Sequence, residues 1–297
     1  MSVLLERATR ILIQGITTTE GRLNTNLMLE NKAEIVAGVS PGRYGQEVMG
    51  VTVYDKVSEA MKRHNIDVSL VFVPKNAVPS ATTEAIEEGI PLIIIITPNI
   101  PVTETIKLKA LAQKKGVTIL GPGSAGILVP GETRAGIISN EYILKGEIGV
   151  ITRTAGNEKR ICQSLFKEEI GESAVVSLGG EDIIGTGYTE ILDEFEEDDT
   201  TEVIVIGGET KGRLEEDAAR YIKEKKFSKP VIAYLFDKDN NPEMAAEKEK
   251  LFRDSGVTVV EDIWEIGQII KESMAETSVD EKSVDETSVD GSEEEDA

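Results

Sequence analysis

Short runs of β-branched and other apolar residues recur between residues 11 and 262, separated by stretches in which apolar residues follow helical spacing. Strands that are apolar on both faces and alternate with helices are typical of a parallel sheet covered by helices on both sides. The pattern therefore predicts an α/β fold. The predicted strands are residues 11–15, 34–40, 69–74, 91–97 and 117–122 in a first series, and 147–152, 174–180, 202–208, 229–235 and 257–262 in a second.

The two series of strands predict two domains. We assign residues 1–130 to a first, doubly wound domain and residues 147–274 to a second, and we interpret GETRAGIISNEYILKG (131–146) as the connection between them. The predicted helices are residues 57–64 and 102–116 in the first domain, and 190–198 and 213–226 in the second.

The last residues, 275–297, differ in composition from the rest. They contain the successive repeats TSVDE, KSVDE and TSVDG, and their ten acids and one lysine carry a net charge of -9. A segment without apolar periodicity cannot build a core, so we expect a disordered acidic tail. Such a tail either keeps the protein in solution or serves as a docking peptide for a partner.

Charge and composition exclude several classes of protein. The formal net charge is -22, so the body of the chain is acidic even without the tail, which argues against nucleic acid as a partner. The longest apolar stretch, IPLIIIIT (90–97), is far shorter than the about 20 residues of a membrane span. Cys162 is the single cysteine, which excludes an internal disulfide. With no signal peptide pattern in MSVLLERATR, we expect a cytoplasmic protein without a membrane partner.

The ends of the first five predicted strands are rich in small and polar residues. Residues 12–21 read LIQGITTTEG, and a turn of this kind either presents backbone N–H groups and hydroxyls to an anion or is an ordinary threonine-capped helix start. Ligands of parallel sheets collect at the carboxyl ends of the strands, where Arg43 and Lys75 also fall. Two cations there in so acidic a chain favour an anionic ligand, with solvated loop charges as the alternative. The stretch lacks G-x-G-x-x-G, which disfavours NAD.

Several motifs in order resemble the α subunit of succinate–CoA ligase. They are MSVLLERATRILIQGITTTEGRLNT, AGVSPGRYG, VFVPKNAVPS, IIIITPNIP, GPGSAGILVPGE, SLGGEDIIGTGYTEILDEFEED and VIVIGGETKGRLEEDAARYIKE, and the match continues to about residue 273 after a gap at about 235–244. The resemblance implies a CoA-binding, Rossmann-like first domain and a flavodoxin-like second domain. It also implies a hetero-oligomer with a β subunit of the ATP-grasp type, which would hold the magnesium nucleotide.

By the same resemblance, the CoA contacts fall on the opening loop and on two later strand ends. Arg43 stands where the family has lysine and keeps the charge, and its planar fork suits a phosphate. Pro98 replaces an acidic residue and lacks a backbone donor. The implied CoA-binding residues are Thr17, Thr18, Thr19, Glu20, Arg43, Ile96, Thr97 and Pro98.

The second domain departs from the family. There, the strand matching VIAYL leads into a glycine-rich loop whose histidine carries phosphate from ATP to the carboxylate, whereas VIAYLFDKDNNPEMAAEKEKLF (231–252) has neither loop nor histidine. The chain's one histidine, His64, lies at the C-terminal end of the helix predicted over 57–64, where we expect it to be solvated and to interact with the helix dipole. In the family, a Ser-Arg-Ser-Gly-Thr turn at a helix N-terminus holds the phosphohistidine through backbone donors. Here that turn reads TRTAGNEKR (152–160), with Lys159 in place of a tyrosine.

Other second-domain residues leave alternatives open. Glu209 matches the family's glutamate that orients the phosphohistidine, or it is a loop acid beside a helix N-terminus. Glu181 and Asp182 are substitute phosphate acceptors or turn residues. We expect Cys162 to be a packed thiol and Trp264 to be an apolar anchor or a subunit contact. No cysteine and histidine cluster predicts a zinc or other metal site.

Two functions are therefore compatible with the sequence. Without the relay histidine, the chain is a CoA-binding regulatory, carrier or assembly subunit, because imidazole is the group that accepts and releases the phosphoryl group in this mechanism. Alternatively, it is an active subunit of an acid–CoA ligase that converts carboxylate, CoA and nucleoside triphosphate to acyl-CoA, nucleoside diphosphate and phosphate. That second function requires a substitute phosphate acceptor or a histidine from the partner.

Overall fold

The computed structural model describes residues 5–273, in which strands and helices alternate around two seven-stranded sheets. The predicted α/β fold is confirmed. The acidic tail at 275–297, for which the sequence predicts disorder, lies outside the described residues. No helix in the described part of the chain is long and apolar enough to cross a membrane.

The first sheet is parallel except at one edge. Its strands are β1 (Arg10–Gln14), β2 (Glu34–Val39), β3 (Glu47–Val48), β4 (Val51–Tyr54), β5 (Val68–Val71), β6 (Leu92–Ile95) and β7 (Thr118–Leu120), and its helices are α1 (Thr19–Glu30), α2 (Val57–Met61), α3 (Val78–Glu87) and α4 (Val102–Lys115). The strand order is β3-β4-β2-β1-β5-β6-β7, with β3 antiparallel to β4. Because β1, β2, β5 and β6 are all parallel, the turns that follow them lie at the same edge of the sheet.

The second sheet has a parallel centre and an antiparallel hairpin at one edge. Its strands are β8 (Gly126–Val129), β9 (Thr133–Gly136), β10 (Lys145–Thr152), β11 (Glu172–Ser177), β12 (Val203–Gly208), β13 (Val231–Leu235) and β14 (Thr258–Val259). The helices are α5 (Asn157–Lys167), α6 (Tyr188–Glu197), α7 (Leu214–Lys225) and α8 (Pro242–Asp254), and residues 265–273 are also helical. The order is β14-β13-β12-β10-β11-β8-β9.

The hairpin β8–β9 belongs to the second sheet, through the antiparallel pairing of β8 with β11. The domain boundaries predicted from the sequence differ from this: they place β8 in the first domain and β9 in the connection 131–146. The reason lies in the glycines: a Cβ on Gly126 would lie 2.1 Å from the Ala135 carbonyl oxygen, and one on Gly136 would lie 2.3 Å from that of Ala125. Glycine permits this close pairing, yet a short glycine-flanked segment reads as a loop in the sequence.

The two sheets are joined by backbone hydrogen bonds near the carboxyl ends of their strands. Gly121 N–H donates to the Leu178 carbonyl, and Gly185 N–H donates to the Gly121 carbonyl, both at 2.8 Å. One cluster of buried apolar side chains also includes residues from both sheets. The first-domain turn after β7 is therefore fixed against the second domain.

The burial of three side chains bears on what the sequence predicts for Cys162, Trp264 and His64. Cys162 is fully buried on α5, so the packed thiol is confirmed. Trp264 is 44% exposed and is not an apolar anchor, because Ile263, Ile266 and Ile270 supply the buried contacts of the final helical segment. His64 is half-buried rather than solvated, with Nε2 3.0 Å from the Tyr54 hydroxyl, since α2 ends at Met61 and the chain turns back toward β4.

Candidate functional site

The loop between β1 and α1 is held in a tight turn by two glycines. Gly15 has a φ of +85°, and a Cβ there would lie 3.0 Å from the Phe72 backbone. Gly21, in the first turn of α1, packs so closely that a Cβ would lie 2.3 Å from the Gly15 carbonyl oxygen. The start of α1 is thus pressed against the end of β1, with its first N–H groups at the carboxyl edge of the sheet.

The three threonines of this loop have different positions. Thr18 is the N-cap of α1: its Oγ1 accepts a hydrogen bond from Gly21 N–H at 3.0 Å and donates to the Gly15 carbonyl at 2.8 Å. Thr17 Oγ1 lies 2.8 Å from Ser40 Oγ, which ties this loop to the turn after β2. Thr19 and Glu20 are exposed in the first helical turn. The threonine cap and the anion-facing loop, alternatives in the sequence, are therefore compatible with each other.

The turn after β2 presents a cation that has no partner among residues 5–273. The backbone N–H groups of Arg43 and Tyr44 both donate to Asp55 Oδ1, at 2.9 and 3.0 Å. The Arg43 side chain is exposed, and its guanidinium makes no hydrogen bond or ion pair with any residue of 5–273. Asp55 therefore fixes the backbone while the guanidinium remains available to a ligand.

The turns after β5 and β6 complete the edge. Thr97 Oγ1 donates to the Val73 carbonyl at 2.8 Å and links the two turns. Ile96 is buried, Pro98 is exposed, and Lys75 is exposed without an ion pair in the described part of the chain. The structure thus brings the sequence-predicted residues of four strand ends to one edge of the first sheet.

This edge has the chemistry of an anion site. It offers backbone donors at the start of α1, hydroxyl groups, and the cations Arg43 and Lys75, which have no ion pair in the described part of the chain. Such cations gain charge-assisted hydrogen bonds from a phosphate without first breaking an internal ion pair. The residues present fit a phosphate-bearing ligand such as CoA.

The second domain contacts this edge through one loop. Asn99 N–H, next to Pro98, donates to Glu181 Oε1 at 2.6 Å. The carbonyl of Glu181 in turn accepts a hydrogen bond from Arg153 Nη2 at 3.1 Å. A short path of hydrogen bonds therefore joins the first edge to the carboxyl ends of β10 and β12.

A buried charge cluster lies at those strand ends. Glu215, at the start of α7, is fully buried, with Oε2 2.7 Å from Lys248 Nζ and Oε1 3.5 Å from Arg153 Nη1. The Arg153 and Lys248 side chains are each 2% exposed. Lys248 also donates to the Glu209 carbonyl at 3.0 Å, and Arg153 donates to the Lys211 carbonyl at 2.7 Å. Both cations are engaged within the protein.

The N-terminus of α5 is occupied by a carboxylate of the chain itself. Both carboxylate oxygens of Glu158 accept from Gly156 N–H, at 2.9 and 2.8 Å, and Oε2 lies 3.5 Å from Thr152 Oγ1. Glu158 is 4% exposed. Burial raises the pKa of Glu158, while hydrogen bonds from backbone N–H groups oppose the rise. The Gly156 N–H at this helix start is therefore already bonded to an internal carboxylate rather than to an external anion.

Glu209 lies between these two features. It is half-buried, and its Oε1 is 3.5 Å from Asn157 Nδ2 at the start of α5. The connection from β13 to α8 is short, consisting of residues 236–241 with a single 3₁₀ turn (Lys238–Asn240). Asp182 is exposed, and Lys159 pairs with Glu141 at 2.6 Å. Within residues 5–273, no group of histidine, cysteine and acidic side chains could hold a metal ion.

Comparison with known proteins places the chain in a family. A family model for a CoA binding domain matches residues 6–99, and one for a CoA-ligase domain matches residues 126–265. Subunit alpha 2 of the ADP-forming succinate–CoA ligase of Archaeoglobus fulgidus is 40% identical over 235 residues, or 79% of this chain and 81% of that one. The chain belongs to the family of succinate–CoA ligase alpha subunits. The alpha subunit of Staphylococcus epidermidis is 32% identical and covers 94% of this chain and 97% of its own length.

Solved structures extend the likeness of fold. ATP citrate lyase from Methanothrix soehngenii, in complex with citrate and coenzyme A, has a TM-score of 0.80 at 19% identity over 91% of this chain. This chain spans about half (51%) of that structure's length. A dinucleotide-forming acetyl-coenzyme A synthetase of Ca. Korarchaeum cryptofilum has a TM-score of 0.69 at 21% identity, covering 86% of this chain and 58% of its own.

Several residues that position the loops at the two strand-end edges were not identified from the sequence. Ser40 and Asp55 fix the loop of Arg43, yet neither carries a local signal beyond its place near a strand end. Glu158 could have been noticed as an acid in the first turn of a helix. The pairing of Glu215 with Lys248 joins positions 33 residues apart, which no local pattern reveals.

Proposed function

We propose that this alpha-family chain binds CoA at the carboxyl edge of its first sheet and does not carry a phosphohistidine. The proposed CoA contacts are Thr17, Thr18, Thr19, Glu20, Arg43, Ile96, Thr97 and Pro98. The unpaired guanidinium of Arg43 supports this assignment most directly, because it lies at the same edge as the N-terminus of α1. The function we propose is that of a CoA-binding regulatory, carrier or assembly subunit.

The observation that carries the second part of the proposal is the Glu158 carboxylate at the start of α5. In the resemblance drawn above, this turn corresponds to the one that holds the phosphorylated histidine. Here the Gly156 N–H is bonded to Glu158, and the chain's one histidine, His64, lies beside Tyr54 in the first domain. The lack of a histidine at this turn, together with the Gly156 N–H already bonded to Glu158, supports a chain that does not carry the relay.

Calorimetric titration with CoA tests the binding proposal. Arg43→Glu is expected to weaken CoA binding by about one to three kcal/mol, the scale of a charge-assisted phosphate contact. Arg63→Glu is the matched control, because Arg63 is exposed in the same domain and its side chain makes no ion pair within the described residues. Equal affinity of the two variants would contradict the proposed site.

A second function remains a candidate because of Glu209. Its carboxylate has one long hydrogen bond, to Asn157, and could accept a phosphoryl group as an acyl phosphate in an active NDP-forming acid–CoA ligase. In both functions we propose an ATP-grasp β subunit as the partner, which would supply the magnesium nucleotide.

Incubation with γ-labelled ATP, with and without an ATP-grasp subunit, separates the two functions. The first proposal predicts no label on this chain. A label that is stable in acid but removed by hydroxylamine, and lost in Glu209→Gln, would favour the ligase with a carboxylate acceptor. An acid-labile label on the partner instead would indicate a partner histidine.

A further inference from the structure

A cavity of about 360 Å³ lies away from both strand-end edges. It is bounded by the C-terminal end of α1, the hairpin β8–β9 and residues 140–145. Because α1 has 12 residues and rises about 1.5 Å per residue, its two ends are about 18 Å apart. The cavity is therefore separate from the proposed CoA site at the other end of the same helix.

The wall of this cavity contains a buried arginine with unused donors. Arg134 is 4% exposed, and its Nε donates to the Gly136 carbonyl at 3.1 Å. The two Nη atoms have no hydrogen bond or ion pair with the described residues. Burial lowers the pKa of Arg134, and no neighbouring carboxylate opposes that shift. Buried guanidinium groups are normally paired, so the free Nη donors of Arg134 favour an anionic ligand.

The remaining charges around the cavity leave a positive excess. Lys145 pairs with Glu132 at 3.4 Å, and Glu30 accepts from the Asn26 amide. Lys32 is exposed at the rim and has no ion pair in the described chain. Of the five charged side chains that line the cavity, three are cations and two are carboxylates. Among the cavity's cations, Arg134 and Lys32 have no counter-ion within residues 5–273.

The rest of the lining favours an organic ligand over a bare ion. Asn31 and Asn140 contribute amides, and they hydrogen-bond to each other. The apolar lining has two sources. The hairpin β8–β9 contributes Leu128, Val129 and Pro130, and the segment between the two domains contributes Ile143 and Leu144. Small-molecule sites combine such apolar walls with a few converging polar groups.

We propose that this cavity binds a small organic carboxylate. The carboxylate lies against the Nη fork of Arg134, which matches its planar shape in a bidentate arrangement, and Lys32 adds charge at the rim. The apolar body of the ligand contacts the Leu128 and Ile143 side of the cavity. Because the lining joins α1 to the second-domain hairpin, the ligand contacts both parts of the fold at once.

The test is calorimetric titration of the full chain with butyrate, with butylamine and inorganic phosphate as separate arms. We expect saturable butyrate binding, none with butylamine, and at least fivefold weaker binding of phosphate. Saturating CoA is expected to leave the butyrate affinity unchanged. Phosphate that binds as well as butyrate, or an absence of saturable butyrate binding, would overturn the proposal.

Variants locate the binding. Arg134→Gln is expected to abolish butyrate binding, and Lys32→Asn, at a φ of +62° that asparagine tolerates, to weaken it at least threefold. Lys226→Asn is the matched control, because Lys226 is exposed, has a φ of +55° and does not line the cavity. If Arg134→Gln does not fold, the comparison of Lys32→Asn with Lys226→Asn decides. Equal affinity in those two variants would contradict the assignment.

Discussion

Replacing Lys248 by methionine removes the cation of a fully buried ion pair while keeping most of the side-chain length. Glu215 loses its 2.7 Å contact and keeps Arg153 at 3.5 Å and the Glu209 N–H at 3.0 Å. Breaking a buried pair from one side costs about 3–5 kcal/mol, because the remaining charge stays in a medium of low dielectric. Since Arg153 compensates in part, we expect the lower end of that range.

The backbone carbonyls refine this magnitude. The Lys211 carbonyl retains its 2.7 Å hydrogen bond from Arg153, whereas the Glu209 carbonyl loses the donor that Lys248 supplies at 3.0 Å. An unsatisfied buried acceptor adds about 1 kcal/mol or more. The expected loss of unfolding free energy is therefore about 3–4 kcal/mol.

Urea unfolding followed by the fluorescence of Trp264, the chain's single tryptophan, measures this loss in the second domain. With a slope of about 2 kcal/mol per molar urea, the transition midpoint should fall by about 1.5–2 M. Lys250→Met is the control, because Lys250 is exposed on the same helix and its side chain makes no ion pair within residues 5–273. Its effect should stay within about 0.5 kcal/mol. Equal midpoints for the two variants would refute the account of the buried cluster.

Two further changes test the fold around the sites. Burial raises the pKa of Glu172 from its ordinary value of 4.5 to about 8. Between these two pH values the folded chain binds more protons than the unfolded chain, so the free energy of unfolding should fall as pH rises from 4.5 to about 8. Glu172→Gln should flatten the pH dependence of the urea midpoint, whereas Glu147→Gln, at an exposed position, should not. Gly21→Ala should lower the melting temperature and the CoA affinity, because its Cβ would clash with the Gly15 carbonyl oxygen. Alanine otherwise favours a helix over glycine by about 1 kcal/mol. A stabilised variant would therefore contradict that contact.

The sequence predicted the parallel centres of both sheets because their strands are apolar on both faces. The runs that became β1, β5 and β6, for example, contain almost only buried residues, and such runs have few alternatives in an α/β chain. The edge elements were harder to predict. Of the predicted strand 257–262, only Thr258–Val259 form a strand, β14. The helix predicted over 57–64 ends at Met61. Edge strands and short helices depend on tertiary contacts that a local pattern does not contain.

The candidate site divides in the same way. The residues at the carboxyl ends of β1, β2 and β6 could be placed together because the topology of a parallel sheet brings these ends to one edge. The capping of α5 by Glu158 could not be derived, since it depends on a side chain folding back on the turn that precedes it. The contact of Asn99 with Glu181 joins residues 82 positions apart and depends on how the two domains pack.

The cations at the two strand-end edges differ in whether they already bind a carboxylate of the described chain. At the first edge, Arg43 and Lys75 have no partner among the described residues, so a phosphate that arrives there replaces only water. At the second edge, Arg153 and Lys248 already bind Glu215, and the start of α5 already binds Glu158. An external phosphate that bound Arg153 or Lys248 would have to displace a buried carboxylate and leave it unpaired, at a cost of several kcal/mol. Anion binding is thus favoured at Arg43 and Lys75, where CoA is expected, and opposed at Arg153 and Lys248.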